Sequence, residues 1–147
     1  MAEATAWLLA LAPELQAAVG EKEMIHMVQT PALFEIPDTP AHCRQVLRWE
    51  QQIVPVLDVA DWLLEQPAAP SPAMVGVFAY QIATGIGYGA LPLQAVPARR
   101  RVRDDQACPL PERPAGWSRI ALSCFSDGDR KIPILDLNYL FSNALLY

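Results

Sequence analysis

The sequence predicts an all-β chain folded as two similar halves packed together. Three observations carry that expectation. The first is an internal repeat. Residues 36–46 read IPDTPAHCRQV and residues 110–120 read LPERPAGWSRI, an offset of 74, while VPVLDVADWL (54–63) returns as IPILDLNYLF (132–141), an offset of 78. The second is punctuation: 14 prolines and 7 glycines cut the apolar residues into short runs of strand length. The third is composition: 52% of the 147 residues are hydrophobic, enough to fill a core and leave apolar surface for partners. Two copies are too few for a solenoid, which needs at least about three. The offset changes between the two repeated blocks, where a hairpin can lengthen without disturbing its flanking strands. No polar cluster is duplicated alongside, so the repeat is architecture and function is expected on surfaces.

The elements follow in order. Trp7–Leu11, Leu15–Val19 and Met24–Val28 are apolar runs of strand length, and Thr30-Pro31 opens a connection. Leu33–Ile36 is strand-like up to Pro37. Val46–Trp49 and Ile53–Val59 flank Glu50-Gln51-Gln52, a tight hairpin. Ala60–Leu64 is expected to form a short helical turn, with Asp58 or Asp61 near its start, where a carboxylate meets exposed N–H groups. Gln66–Pro72 (QPAAPSP) is the one clear linker and lies near mid-chain, where a boundary between copies belongs. Met74–Tyr80 reads as a strand, and Thr84–Leu93 as a strand kinked by its glycines. Ile120–Phe125 and Lys131–Leu137 flank an Asp-Gly turn at Asp127-Gly128. Asn138–Leu146 reads as a short terminal helix. The whole is one domain, 1–147, with lobe 1 at about 1–66 and lobe 2 at about 73–147.

Composition also excludes. A net charge of −5 argues against nucleic acid as a partner. No apolar run reaches the length of about 18 residues that a membrane helix needs, so no direct membrane insertion is expected. The first segment, MAEATAWLLALAPEL, has no basic region and is broken by Pro13, so it is not read as a signal peptide. Cys43, Cys108 and Cys124 lack CxxC spacing and read as reduced thiols of a cytoplasmic protein.

The candidate chemistry is thin. TGIGYGALPL (84–93) lacks the spacing of a phosphate-binding loop. His26, in MIHMV, is expected on the face opposite Ile25 and Met27, as a solvated strand residue. His42 and Cys43 are adjacent, which on a strand points them to opposite faces and disfavours a nucleophile–base pair. Asp58 and Asp136 are the repeated carboxylates; they resemble a catalytic pair, but capping of the turns that follow is the favoured reading. Arg99, Arg100, Arg101 and Arg103 either bind an anion or form a solvated loop balanced by Asp104 and Asp105. No catalytic, cofactor-binding or metal-binding constellation is expected.

Residues 21–63 resemble the first half of the CheW-like domain. That family carries a "vP…p.yv.Gv…rG.iiPviDl" stretch, and Ile36-Pro37, Val46 and Ile53-Val54-Pro55-Val56-Leu57-Asp58-Val59 stand at those places. The closing IPILDLNYLF resembles the family's last strand and helix, so the resemblance runs from about Ala6 to Phe141. It implies two small five-stranded, SH3-like β-barrel lobes sharing a hydrophobic core. It also implies a non-enzymatic adaptor in chemotaxis or twitching motility. The implied partners are a CheA-type histidine kinase and the cytoplasmic tip of a methyl-accepting chemoreceptor. Gln45 stands where the family has glycine, and Glu50-Gln51 where it has Arg-Gly, which implies altered backbone in those turns and reversed charge on a partner-binding edge. Trp49, Glu50, Gln51 and Gln52 are therefore the expected protein-binding residues. The alternative is the same fold with a different partner, or one that competes with a true coupling protein.

Far-UV circular dichroism of the purified chain should be dominated by strand. A helix content above about half would contradict the pattern of short, punctuated apolar runs.

Overall fold

The computed structural model describes residues 3–13, 15–65 and 72–142. Its strands are β1 (Glu3–Ala12), β2 (Leu15–Gly20), β3 (Met24–Gln29), β4 (Leu33–Glu35), β5 (Gln45–Trp49), β6 (Gln52–Val56), β7 (Met74–Ile82), β8 (Gly85–Leu93), β9 (Ala98–Arg103), β10 (Ala121–Asp127) and β11 (Arg130–Leu135). Three short helices join them: α1 (Val59–Leu64), α2 (Trp117–Ile120) and α3 (Leu137–Leu140). The predicted linker at 66–72 and helix at 138–146 lie partly outside the described residues.

Two sheets result. One has the order β10-β11-β2-β1-β9 and the other β3-β7-β8-β6-β5-β4. Five strands of the two orders match once the repeat is laid over them, and β4 alone has no counterpart strand. An offset of 74 carries β3 onto β9, and an offset of 78 carries β6 onto β11 and the start of α1 onto that of α3. The single parallel bridge of each sheet is also equivalent: Val56 opposite Ala90 in one, Ile134 opposite Ala18 in the other.

The expected lobes at 1–66 and 73–147 do not correspond to the two sheets. The β1–β2 hairpin of the first half lies in the sheet of β9, β10 and β11, and the β7–β8 hairpin of the second half lies among β3–β6. Each copy thus gives its first hairpin to the other. Both exchanged pairings, β6 with β8 and β11 with β2, are parallel and so are made by crossovers and not by tight turns.

Contrary to the expectation from spacing, the four extra residues of the second copy do not lengthen the hairpin. Gln45 opposite Val56 and Ser123 opposite Ile134 are equivalent at an offset of 78, so the insertion lies upstream, where α2 stands in place of the short turn Ala41–Cys43. Trp49 faces Gln52 across one two-residue turn, and Asp127 faces Arg130 across the other. The lobes differ at one edge. Where the six-stranded lobe has β4, the other has only a bridge, Ala107 opposite Phe125. Pro109 and Pro111 follow at once and have no N–H to extend a ladder. That bridge brings the β9 side of the five-stranded sheet round to β10, so the sheet curls closed.

Three apolar clusters fill the molecule. Val54, Val56, Val75, Val77 and Ala90 lie inside the six-stranded lobe, with Leu47. Ala6, Leu8, Ala18, Phe125 and Ile132 lie inside the five-stranded lobe. The largest sits between the lobes and includes Leu9, Val19, Leu57, Phe78, Leu91, Leu135, Leu137 and Leu140. The equivalent pairs Val54 and Ile132, and Val56 and Ile134, do not all behave alike. Val54, Val56 and Ile132 are buried, whereas Ile134 is half-buried and packs at the margin of the smaller core.

The helices tie the lobes together. Asp58 caps α1 by accepting the Asp61 N–H at 2.9 Å, and Asp136 caps α3 by accepting the Tyr139 N–H at 3.3 Å. Beyond α3, the Phe141 ring stacks on Tyr80 of β7 at 5.5 Å and lies flat against Gly89 of β8. A Cβ on Gly89 would sit 2.3 Å from that ring, so only glycine permits the contact. This is packing, as expected of the glycine-kinked strand.

Val56→Asp should cost several kcal/mol, because an unpaired carboxylate would enter an apolar core. Urea denaturation of the variant measures this. Wild-type stability would be incompatible with Val56 as a core residue.

Candidate protein-interaction surface

The expected binding residues lie at the β5–β6 hairpin. Glu50 and Gln51 form its turn, both with positive φ, 51° and 62°. Two consecutive left-handed residues suit the right-handed twist of paired strands and normally call for glycine or asparagine. The chain keeps a tight two-residue turn and places two long polar side chains in it. At Gln45, also expected in a turn, the structure has none: the residue lies buried in strand β5. Glu50, Gln51 and Gln52 are exposed.

Trp49 differs from the other three. It is half-buried and packs on the core of its own lobe, with its ring 5.5 Å from Tyr88 and 6.2 Å from His26. It therefore neither projects freely nor packs between the lobes. His26 is exposed on β3 as expected, but a register shift between Met24 and His26 disturbs the simple alternation.

A neighbouring surface was missed by sequence reasoning. Directly opposite residues share a face of an antiparallel pair. Leu33, Leu47 and Val54 line up inward. Phe34, Val46 and Pro55 line up outward, with Arg48 opposite Ile53 in the next row. Phe34 is 55% exposed and Ile53 is 75% exposed. The outer face of β4–β5–β6 is thus an apolar strip that runs to the hairpin tip, flanked by Arg48 and Glu50. The signal was present in QIVPV (52–56): a strand apolar at consecutive positions has something to cover on both faces.

The remaining candidates resolve into structure. The four arginines form strand β9 and not a loop. Arg99 pairs with Glu21, Arg100 with Asp127 at 3.6 Å, Arg101 with Glu3 at 3.9 Å and Arg103 with Asp105 at 3.3 Å. Arg99 also lies over the Trp7 ring at 5.6 Å. Most of the balancing carboxylates come from other strands and turns, not from Asp104 and Asp105. His42 and Cys43 occupy a short 3-10 turn, Ala41–Cys43. Asp58 and Asp136 are engaged as caps. An open cleft of about 550 Å³ beside α2 is lined by prolines, Trp117, Arg113, Arg130 and Lys131. Its described lining holds no carboxylate or histidine to act as an acid–base pair. Among the described residues, no group of three or more His, Cys, Asp or Glu is placed to hold a metal ion. No helix among them is long and apolar enough to cross a membrane.

Two interlocked β-lobes around a shared core, with an apolar strip ending in a charged hairpin tip, define a protein-interaction module. The CheW-like domain family model matches residues 7–145, and the chain belongs to that family. No curated protein sequence matches it significantly. Among solved structures, the scaffolding protein TtCheW from Thermoanaerobacter tengcongensis is similar in fold. Its TM-score is 0.78 at 16% identity, covering 99% of this chain and 93% of that one.

The Asp58 cap has a pH consequence. Burial raises its carboxyl above the usual range, against the lowering effect of the Asp61 N–H. The folded state therefore holds this proton more tightly than the unfolded chain, whose carboxyl titrates near about 3.9. The stabilisation from protonation is complete below that pH and is lost as pH rises through the folded value. Asp58→Asn, which keeps an acceptor without the charge, should match or exceed wild-type stability at pH 7, with the gap closing as pH falls towards about 4. Asp58→Ala should lose about 1 kcal/mol in urea melts. An Asn variant clearly weaker than wild type at pH 7 would show that the charge itself is required.

Proposed function

We propose that this chain is a non-enzymatic, cytoplasmic adaptor of a chemosensory pathway, serving chemotaxis or twitching motility. It couples the cytoplasmic tip of a methyl-accepting chemoreceptor to a CheA-type histidine kinase. The observation that carries the reading is the outer face of β4–β5–β6. Phe34 and Ile53 are exposed there beside Arg48, and the strip ends at Glu50 on a rigid two-residue turn. An apolar strip rimmed by charge buries area against a protein partner, while the rim selects which partner docks. Membership of the CheW-like family and the fold likeness to a scaffolding protein support the same reading.

A second reading keeps the fold and changes the partner, or has the chain compete with a true coupling protein. One feature favours it: Glu50 stands where the family pattern has arginine, so the charge offered at the hairpin is reversed.

Binding to receptor-tip and kinase fragments tests both readings. Glu50→Arg should change affinity by about 1–3 kcal/mol in either direction while leaving the fold intact. Ile53→Asp should weaken binding by more than about 1 kcal/mol, with an unchanged melting temperature because the side chain is exposed. If wild type and variants bind neither fragment, the coupling role fails and the second reading replaces it.

A further inference from the structure

The seam that closes the five-stranded sheet carries two thiols. Ala107 pairs with Phe125, so the same antiparallel register sets Cys108 directly opposite Cys124. The Cys108 N–H donates to the Cys124 carbonyl at 3.1 Å, and the two Sγ atoms lie 3.3 Å apart. Directly opposed residues of an antiparallel pair have Cα atoms about 4.5–5.5 Å apart, inside the range a disulfide spans. None of the three cysteines is in a disulfide.

The duplication supplies a second, independent argument. At the repeat offsets of 74 and 78, Cys108 and Cys124 fall where the other lobe has Phe34 opposite Val46. The fold asks only for an apolar cross-strand pair at this place. Two thiols are a particular choice there, at a seam otherwise held by the Ala107–Phe125 bridge and by hydrogen bonds between Gln106 and Ser126.

We propose that Cys108 and Cys124 form a redox-responsive pair, which a hydroperoxide converts to a disulfide across the seam and a thiol reductant restores. The two sulfurs have different roles. Cys108 is half-exposed and Cys124 is buried. Burial, with the neighbouring Cys108 thiol second, pushes the Cys124 thiol up to about 12. Cys108 is thus the attacking thiolate. It takes the distal oxygen of the hydroperoxide: the O–O bond breaks, a sulfenic acid forms on Cys108, and the alkoxide or hydroxide leaves with a proton. The Cys124 sulfur then attacks the Cys108 sulfur. The S–O bond breaks, the S–S bond forms, and water leaves with the Cys124 proton. In sum, two thiols lose two electrons and two protons, and one hydroperoxide becomes an alcohol, or water, plus water. The step is independent of the adaptor reading.

The test uses the full reduced chain and hydrogen peroxide, quenched with an alkylating agent, digested with trypsin and mapped without reductant. Peptides 104–119 and 120–130 should appear joined while Cys43 is alkylated, and dithiothreitol should separate them. The oxidised chain should melt at a higher temperature than the reduced one, because the link crosses the seam. Peroxide-treated Cys124→Ser should stop at a sulfenic acid on Cys108 that dimedone traps. The wild-type peptide map decides the matter even if that variant fails to fold. The proposal is overturned if Cys108 and Cys124 stay alkylatable at peroxide levels that fully oxidise free cysteine. It is overturned equally if Cys43 reacts first, if the links form between chains, or if oxidation lowers the melting temperature.

Discussion

The β1–β2 and β7–β8 hairpins are apolar on both faces, and the rest of the molecule follows from covering them. Successive side chains on a strand point to opposite faces, so neighbours on these hairpins feed different cores. Leu8 enters the five-stranded lobe while Leu9 enters the layer between the lobes. Val77 enters the six-stranded lobe while Phe78 enters the same shared layer, and Ala90 and Leu91 divide in the same way. A strand buried on both faces must sit in the middle of the structure, with the solvated strands outside it. The hairpins accordingly take inner places in both sheets, and strands β3, β4, β9 and β10 are left to the edges.

The exchange of hairpins turns two copies into one folding unit. Neither half of the chain holds a complete sheet, so neither lobe is able to form without strands from the other half. The helices reinforce this. Arg119 of α2 lies over Trp62 of α1 at 5.3 Å and donates to the Tyr139 hydroxyl of α3 at 2.8 Å, so one side chain touches both end helices. The consequence of such an arrangement is rigidity: the two lobes hold a fixed geometry only if they do not slide. The shared layer of Leu9, Phe78, Leu91 and Leu137 resists sliding because close-packed side chains interdigitate and have no smooth surface to move along.

Much of this was legible in the sequence, and what was hidden has physical causes. The repeat of VPVLDVADWL in IPILDLNYLF located two equivalent strand–cap–helix units, down to the two capping aspartates, because capping is a local interaction and local interactions leave local patterns. The Asp-Gly turn was readable for the same reason. Which sheet each hairpin joins was not readable, since period-2 alternation reports a strand but not its neighbour. The β9 arginines were ambiguous because a strand whose outer face is covered by ion pairs has the composition of a solvated loop. The apolar strip at Phe34 and Ile53 was masked because an apolar residue in a strand reads by default as core, and only the paired register tells outward from inward.

The hairpin tip shows how a turn holds non-glycine residues without losing its form. Glu50 and Gln51 hold left-handed backbone at a cost of roughly 1–2 kcal/mol per residue relative to glycine. The turn survives because both arms are anchored. Leu47 and Val54 are buried opposite one another, and Trp49 clamps the tip by packing on Tyr88. A short loop between fixed arms leaves few conformations, so the strained one persists when its residues change. The same anchoring holds Glu50 at a defined height beyond the apolar strip. A substitution at this tip then alters the charge at the end of the apolar strip while the position of that charge stays the same, held by the packed layer beneath it.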